Sequence, residues 1–160
     1  HIVRQCRAAL LWLEQHSALT PQSTVVSGSS AGAHLAAMCS TADPNNNFIT
    51  GAVLLSGVYD LRPLLQTTVN DPLQLTENDA IKLSPQLHPV SPIKNVVVAW
   101  GEHETNSFKD QSRNYAQHLT EGGCNVVQYE AEERDHFNLI YDLVTPATPL
   151  GDATLQLLHS

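Results

Sequence analysis

The sequence predicts an α/β fold, in which a parallel β-sheet carries helices on both faces. Short runs of β-branched and apolar residues alternate along the chain with longer helical patterns. One run, Ala52-Val53-Leu54-Leu55, is apolar throughout, which suits a strand buried on both faces. A glycine-rich turn at residues 28–32 joins a strand pattern directly to a helix pattern. No repeat or linker divides residues 1–160, so we expect a single domain.

The first element is an amphipathic helix at residues 1–17. Its apolar residues recur at helical spacing and are expected to face the core: Ile2, Cys6, Ala9, Leu10 and Leu13. Its charged residues fall off that face: Arg4, Arg7 and Glu14. We therefore expect a surface helix with one buried side.

The remaining elements alternate between strands and helices. The strands are expected at residues 23–26, 49–56, 95–100 and 124–129. The helices are expected from residue 31 to about residue 40, then at 107–120, 137–144 and 152–158. Residues 59–92 form an insertion broken by prolines, with a helix N-cap at Thr76, and such an insertion is expected to shape a pocket.

Composition narrows the functional classes. The net charge of −8 argues against nucleic acid and anionic membrane surfaces as partners. Three widely spaced cysteines, with no C-x-x-C motif, indicate neither a disulfide framework nor a thiolate metal site. No apolar run approaches the roughly 20 residues of a membrane span, and the first residues do not resemble a signal peptide. We therefore expect a cytoplasmic protein.

The turn at residues 28–32 reads G-x-S-x-G, with Ser30 at its centre. A sharp strand-to-helix turn lifts the serine hydroxyl out of the backbone at the edge of the sheet, where it can act as a nucleophile. We expect Gly28 and Gly32 to be required because a side chain at either would collide with a neighbouring element. The amide of Ala31, at the start of the helix, is expected to bind a developing oxyanion.

A serine nucleophile needs a base, and His136 is the best candidate. It lies in the loop after the fourth strand, at the sheet edge that also carries Ser30. Among the other histidines, His34 follows Ser30 by one helical turn, His88 lies in the insertion and His103 follows the third strand. Topology favours His136, because parallel strands deliver their carboxyl ends to one edge.

The acid that orients this base is predicted to be Glu104, just beyond the third strand. Asp60, which follows the second strand, is its main rival, and Glu102 and Asp135 also lie near strand ends. No metal site is expected, since Glu102-His103-Glu104 lacks helical ligand spacing. No cofactor is expected either, because no Walker or Rossmann glycine loop is present.

Several stretches together resemble the kynurenine formamidase (arylformamidase) family, which has the α/β-hydrolase fold. They are residues 28–37, 56–64, 101–105 and 135–137, with Ser84-Pro85 after the insertion. The resemblance implies hydrolysis of N-formylkynurenine to kynurenine and formate. It implies Ser30 as nucleophile, Glu104 as acid and His136 as base.

The chain departs from this family in two places. The family usually has aspartate where Glu104 stands, and its upstream His-Gly-Gly loop and preceding strands have no counterpart here. The resemblance therefore covers the C-terminal portion of the fold. We expect a truncated chain whose nucleophile strand lies at a sheet edge, an arrangement that favours aggregation.

Two other functions stay open on the sequence. One is a carboxylesterase that cleaves short acyl esters, since the insertion at residues 59–92 governs leaving-group preference. The other is a non-catalytic fold relative used for binding. In each case the expected partner is a small acyl or formyl compound, and a homodimer is the expected assembly.

Overall fold

Four parallel strands form the centre of the structure, a computed structural model that describes residues 1–16, 23–46, 48–91, 93 and 95–159. The strands lie in chain order across the sheet: β1 (Val25–Ser29), β2 (Gly51–Leu55), β3 (Asn95–Gly101) and β4 (Asn125–Ala131). The expected parallel sheet is thus confirmed. In the described part of the chain β1 pairs with β2 alone, which places the Ser30 strand at an edge.

Six α-helices and three short 3-10 helices surround the described sheet. The α-helices are α1 (Ile2–His16), α2 (Ala31–Cys39), α3 (Asn70–Leu73), α4 (Glu77–Lys82), α5 (Asn106–Glu121) and α6 (Pro149–Leu158). The 3-10 helices span Arg62–Gln66, Pro85–Leu87 and Leu139–Val144. Residue 17, which was expected to end the first helix, lies outside the described residues.

The core has one layer on each face of the sheet. Leu54 and Val98 point to the face covered by α2 and α5, where they meet Ala37 and Leu119. Val53 and Val97 point to the opposite face, where α6 covers them. All five residues of β2 are buried, as the unbroken apolar run predicts.

Helix α1 packs through a face that overlaps the predicted one only in part. Cys6 is half-buried as expected, whereas Ile2 is exposed and Arg7 turns towards α2. The Arg7 guanidinium donates from Nε to the Met38 carbonyl over 3.2 Å and pairs with Asp43 at 3.0 Å. The assignment of Arg7 to the outer face was wrong because a long side chain can lie along a packed surface while its charged end finds partners.

The insertion has the predicted helix cap in its middle and is anchored to α5 at its start. The predicted N-cap is confirmed, since the Thr76 hydroxyl accepts from the Asp79 amide and the Asp79 carboxylate accepts from the Thr76 amide. Gln111 on α5 accepts from the amides of Tyr59 and Asp60 at 2.8 Å each. The insertion and α5 enclose a groove of about 570 Å³, and none of Ser30, Glu104 and His136 lines it.

The last two helices begin at other residues than predicted. The segment predicted as a helix from residue 137 is a 3-10 helix from Leu139, because the Asp135 carboxylate holds the amides of Phe137 and Asn138. Helix α6 begins at Pro149, three residues early. Thr148 caps it by accepting from the Gly151 amide, and a proline at the first helical position lacks only an N–H that would be unpaired anyway.

Candidate active site

The turn at residues 28–32 holds Ser30 in an unusual backbone conformation. Ser30 has φ 56° and ψ −120°, and its amide donates to the Leu55 carbonyl at 2.8 Å, so the turn stays tied to β2. A Cβ at Gly28 would lie 2.2 Å from the Gly32 carbonyl oxygen, so this glycine is required by space. The same expectation for Gly32 was wrong, because a Cβ there meets nothing within 4 Å.

The structure brings Ser30, His136 and Glu104 together. His136 Nε2 lies 2.9 Å from Ser30 Oγ, and His136 Nδ1 lies 3.1 Å from Glu104 Oε2. A proton on Nδ1 lets the ring donate to the carboxylate and accept from the serine hydroxyl through Nε2. Glu104 has a fully buried side chain, whereas the His136 side chain is 21% exposed. The geometry matches that of a serine nucleophile, a histidine base and a carboxylate that orients the base.

The loops that carry Glu104 and His136 are bonded to each other. The amide of His103 donates to the Arg134 carbonyl at 2.9 Å, and the amide of Glu102 donates to the Ala131 carbonyl at 3.0 Å. A Cβ at Gly101 would lie 2.4 Å from the Arg134 carbonyl oxygen, which explains a glycine at this close approach. The acid and the base are therefore fixed relative to one another by main-chain contacts.

Two donors converge on the oxygen of Glu104 that faces away from His136. The Gly101 amide donates to Oε1 at 2.8 Å, and the Ser56 hydroxyl donates to the same atom. Sequence reasoning missed Ser56. Its position directly after a buried strand was a weak signal, because such positions reach the edge where the site lies.

The other candidate acids have other partners. Asp60 pairs with Arg62 at 2.7 Å, and its hydrogen bond with the guanidinium is the main cause of a lowered Asp60 pKa. Glu102 accepts from the Glu133 amide. Asp135 accepts from the two amides after His136, which lowers the Asp135 pKa and shapes the loop. The structure thus places Glu104, rather than these residues, on the His136 ring.

Two of the other candidate bases, His34 and His88, have ring nitrogens bonded to other partners. His34 Nε2 lies 2.6 Å from the Leu83 carbonyl, and burial lowers the His34 pKa more than this hydrogen bond raises it. His88 Nε2 lies 2.9 Å from the Lys82 carbonyl. His103 contributes its amide to the bond with Arg134.

Ala31 is the first residue of α2, so its amide has no partner within the helix. Over the described ranges no acceptor for this amide is found. The N-terminal end of a helix also favours negative charge. The amide can therefore serve an oxyanion that forms next to Ser30.

The described residues contain no cluster of three or more His, Cys, Asp or Glu side chains that could hold a metal ion. None of their helices combines the length and the apolar character needed to cross a membrane.

Curated relatives agree with the resemblance seen in the short motifs. The chain is 37% identical over 140 residues to the kynurenine formamidase of Danio rerio and 38% identical over 141 residues to that of Salmo salar. The enzyme of Drosophila melanogaster is 30% identical over 146 residues. Each alignment includes 82% of this chain and 48% of the relative, so the chain spans about half the length of these relatives.

Solved structures and a family comparison agree on the fold. A structure described as a putative thioesterase from Silicibacter sp. has a TM-score of 0.76 at 29% identity, covering 99% of this chain and 58% of that one. EstE1, a thermophilic carboxylesterase from a metagenomic library, has a TM-score of 0.70 at 22% identity, covering 98% of this chain and 60% of that one. The family described as alpha/beta hydrolase fold matches residues 2–139. The chain therefore belongs to the α/β-hydrolase fold family.

Proposed function

We propose that the protein is a serine hydrolase with Ser30 as nucleophile, His136 as base and Glu104 as the acid that orients the base. The observation that carries this proposal is the position of the His136 ring, 2.9 Å from Ser30 Oγ and 3.1 Å from Glu104 Oε2. A serine hydroxyl is a poor nucleophile until a base takes its proton, and a buried carboxylate stabilises the imidazolium that results.

Ser30 Oγ attacks the carbonyl carbon while its proton moves to His136 Nε2. The Ala31 amide binds the oxyanion that forms. His136 then gives the proton to the leaving group, and the bond from the carbonyl carbon to that group breaks. A water molecule, deprotonated by His136, attacks the acyl-serine, and breakage of the ester bond frees the acid and restores Ser30. Loss of one oxyanion donor typically costs about a hundredfold or more in kcat.

The proposed substrate is N-formyl-L-kynurenine, which would yield L-kynurenine and formate, a step of tryptophan catabolism. The support is the similarity to kynurenine formamidases at 30–38% identity over most of this chain. A formyl group is the smallest acyl group. Its hydrolysis releases formate and, as the larger product, the aromatic amine. As part of this proposal the protein acts in the cytoplasm as a homodimer on a small formyl compound.

A carboxylesterase that cleaves short acyl esters is the second candidate. The putative thioesterase of Silicibacter sp. has a similar structure at 29% identity, and a serine nucleophile can cleave esters and thioesters through the same acyl-serine intermediate. An ester has an alcohol as its leaving group, which needs less protonation than an amine. Esterase activity would therefore depend less on proton donation by His136.

The two candidates and the non-catalytic alternative can be separated with three reagents. Purified protein is tested with N-formyl-L-kynurenine, with p-nitrophenyl acetate and with a fluorophosphonate probe. We expect formamide turnover, labelling, and loss of both in Ser30→Ala. The matched control is Ser112→Ala, which removes a buried hydroxyl that has no partner among the described residues. Ester turnover without formamide turnover favours the esterase, and absence of both labelling and turnover favours a binding function.

A further inference from the structure

Ser56 directly follows β2 and has a backbone conformation that serine seldom adopts. Its φ is 49°, in the left-handed region, and its side chain is fully buried. Its amide donates to the Ala99 carbonyl at 2.8 Å, so its main chain is still hydrogen-bonded to β3. A side chain at such a φ is disfavoured by contact of its Cβ with the following backbone, and glycine avoids that contact.

The glycine of this turn lies one residue later, where space demands it. A Cβ on Gly57 would lie 2.3 Å from the Tyr59 ring. Gly57 is therefore explained by packing, whereas nothing in the backbone of Ser56 calls for a serine. What distinguishes Ser56 from a glycine is its hydroxyl, and that hydroxyl donates to Glu104 Oε1.

Glu104 needs this kind of support because its side chain is long. A glutamate has one more rotatable bond than an aspartate, so more rotamers must be excluded to aim one oxygen at a partner. The Gly101 amide is one fixed donor to Oε1, at 2.8 Å, and the Ser56 hydroxyl is the second. With Oε1 held twice, Oε2 is left to face His136 Nδ1 at 3.1 Å.

We propose that Ser56 is a positioning residue, whose hydroxyl holds the Glu104 carboxylate in the rotamer that orients His136. This inference rests on the proposed function for its effect on turnover. Its structural content, the orientation of the His136 ring by a doubly held carboxylate, is measurable without any substrate.

The decisive variant is Ser56→Gly. It removes the hydroxyl and relieves the left-handed backbone, so the urea midpoint of unfolding should stay close to that of the wild type. The value of kcat should fall about tenfold or more with KM nearly unchanged, because a small misorientation of a reacting group is costly. Ser56→Ala, which keeps the Cβ, should lose kcat by a similar factor.

A double-mutant cycle tests whether Ser56 acts through Glu104. In a Glu104→Gln background, Ser56→Gly should cause little further loss of kcat, because the carboxylate that it holds is already gone. Gln74→Gly is the matched control for backbone relief, since Gln74 is exposed and has φ 50°. Ser112→Ala is the control for loss of a buried hydroxyl. Both controls should retain wild-type kcat.

A readout that is independent of turnover is the nitrogen NMR chemical shift of the His136 ring. In the wild type it should report a proton fixed on Nδ1, and in Ser56→Gly a mixture of the two tautomers. If the wild type neither hydrolyses a substrate nor is labelled by the probe, the proposed function fails. The ring nitrogen spectrum alone then tests the positioning role of Ser56. Unchanged ring shifts, or unchanged kcat in an active protein, would overturn the inference. Equal losses from Ser56→Gly with and without Glu104 would do the same.

Discussion

The ring of Phe108 lies against the imidazole of His136, with ring centroids 4.5 Å apart and planes inclined by 48°. Phe108 belongs to the first turn of α5, so a helix on one face of the sheet supports a loop that follows β4. The two hydrogen bonds of His136 fix the ring at its nitrogen atoms, and Phe108 restricts its sideways movement.

Phe108→Ala should therefore lower kcat by about tenfold, since a displacement of about 1 Å at a reacting group can cost about a hundredfold. Phe108→Leu should keep part of the support and lose less. Steady-state kinetics on the substrate that proves active measure the effect. Trp12→Ala is the control, because Trp12 stacks on His16 in α1 as a second aromatic–histidine pair. Equal effects of Phe108→Ala and Trp12→Ala would contradict the prediction.

The two glycines of the G-x-S-x-G turn should respond in opposite ways to alanine. Gly28→Ala forces a Cβ against the backbone at Gly32 and should lower the free energy of unfolding by about 1–3 kcal/mol. Gly32→Ala meets open space in the first turn of α2 and should raise it by up to about 1 kcal/mol. Urea unfolding measures both. Similar losses at the two positions would show that Gly32 is also sterically required.

Half-buried His34 should make stability fall in mild acid. Burial lowers its folded-state pKa below the ordinary value of about 6.5, so the unfolded chain binds the proton more readily. The stabilisation is complete above about pH 6.5 and is lost as pH falls towards the lower folded-state pKa. The carboxyl groups with lowered pKa, such as Asp60 and Asp135, lose theirs only in stronger acid.

His34→Gln should flatten the dependence of the urea midpoint on pH between about pH 6.5 and pH 5. His159→Gln, at an exposed histidine just after α6, is the control and should leave the slope unchanged. A slope that survives in His34→Gln would assign the acid sensitivity to another group.

The three cysteines should differ in reactivity towards a disulfide reagent at pH 8. Burial raises the pKa of Cys39 to about 11 and also raises the pKa of Cys124, so neither thiol forms much thiolate. Cys6 is half-buried and free. In the native protein at most one thiol should react promptly with the reagent, and after denaturation all three thiols should react. Prompt loss of two or more thiols would contradict this burial.

Much of the fold could be predicted because its signals are local. The apolar run of β2, the G-x-S-x-G turn and the Thr76 cap each depend on neighbouring residues. The convergence of Ser30, Glu104 and His136 could be predicted from topology, because parallel strands end at one edge. The preference for Glu104 over Asp60 agrees with the observed partners, since Asp60 is paired with Arg62.

The differences from prediction arise where a partner is distant in sequence. Arg7 faces inward because Met38 and Asp43 receive its guanidinium, and no spacing rule within α1 reveals those partners. Gly32 was expected to be sterically required because it belongs to the G-x-S-x-G motif. The open space around it is visible only in the folded structure. Ser56 was missed because its left-handed φ and its contact with Glu104 both arise only when β2 and β3 lie side by side.

Ser30 and Ser56 follow adjacent strands, and each holds a positive φ that its Cβ opposes. Local release at this rim would relax both residues while the helices and the sheet stay intact. Heat should therefore inactivate the protein at a lower temperature than the one that melts its secondary structure, and the working life of a preparation would be set by these two short turns.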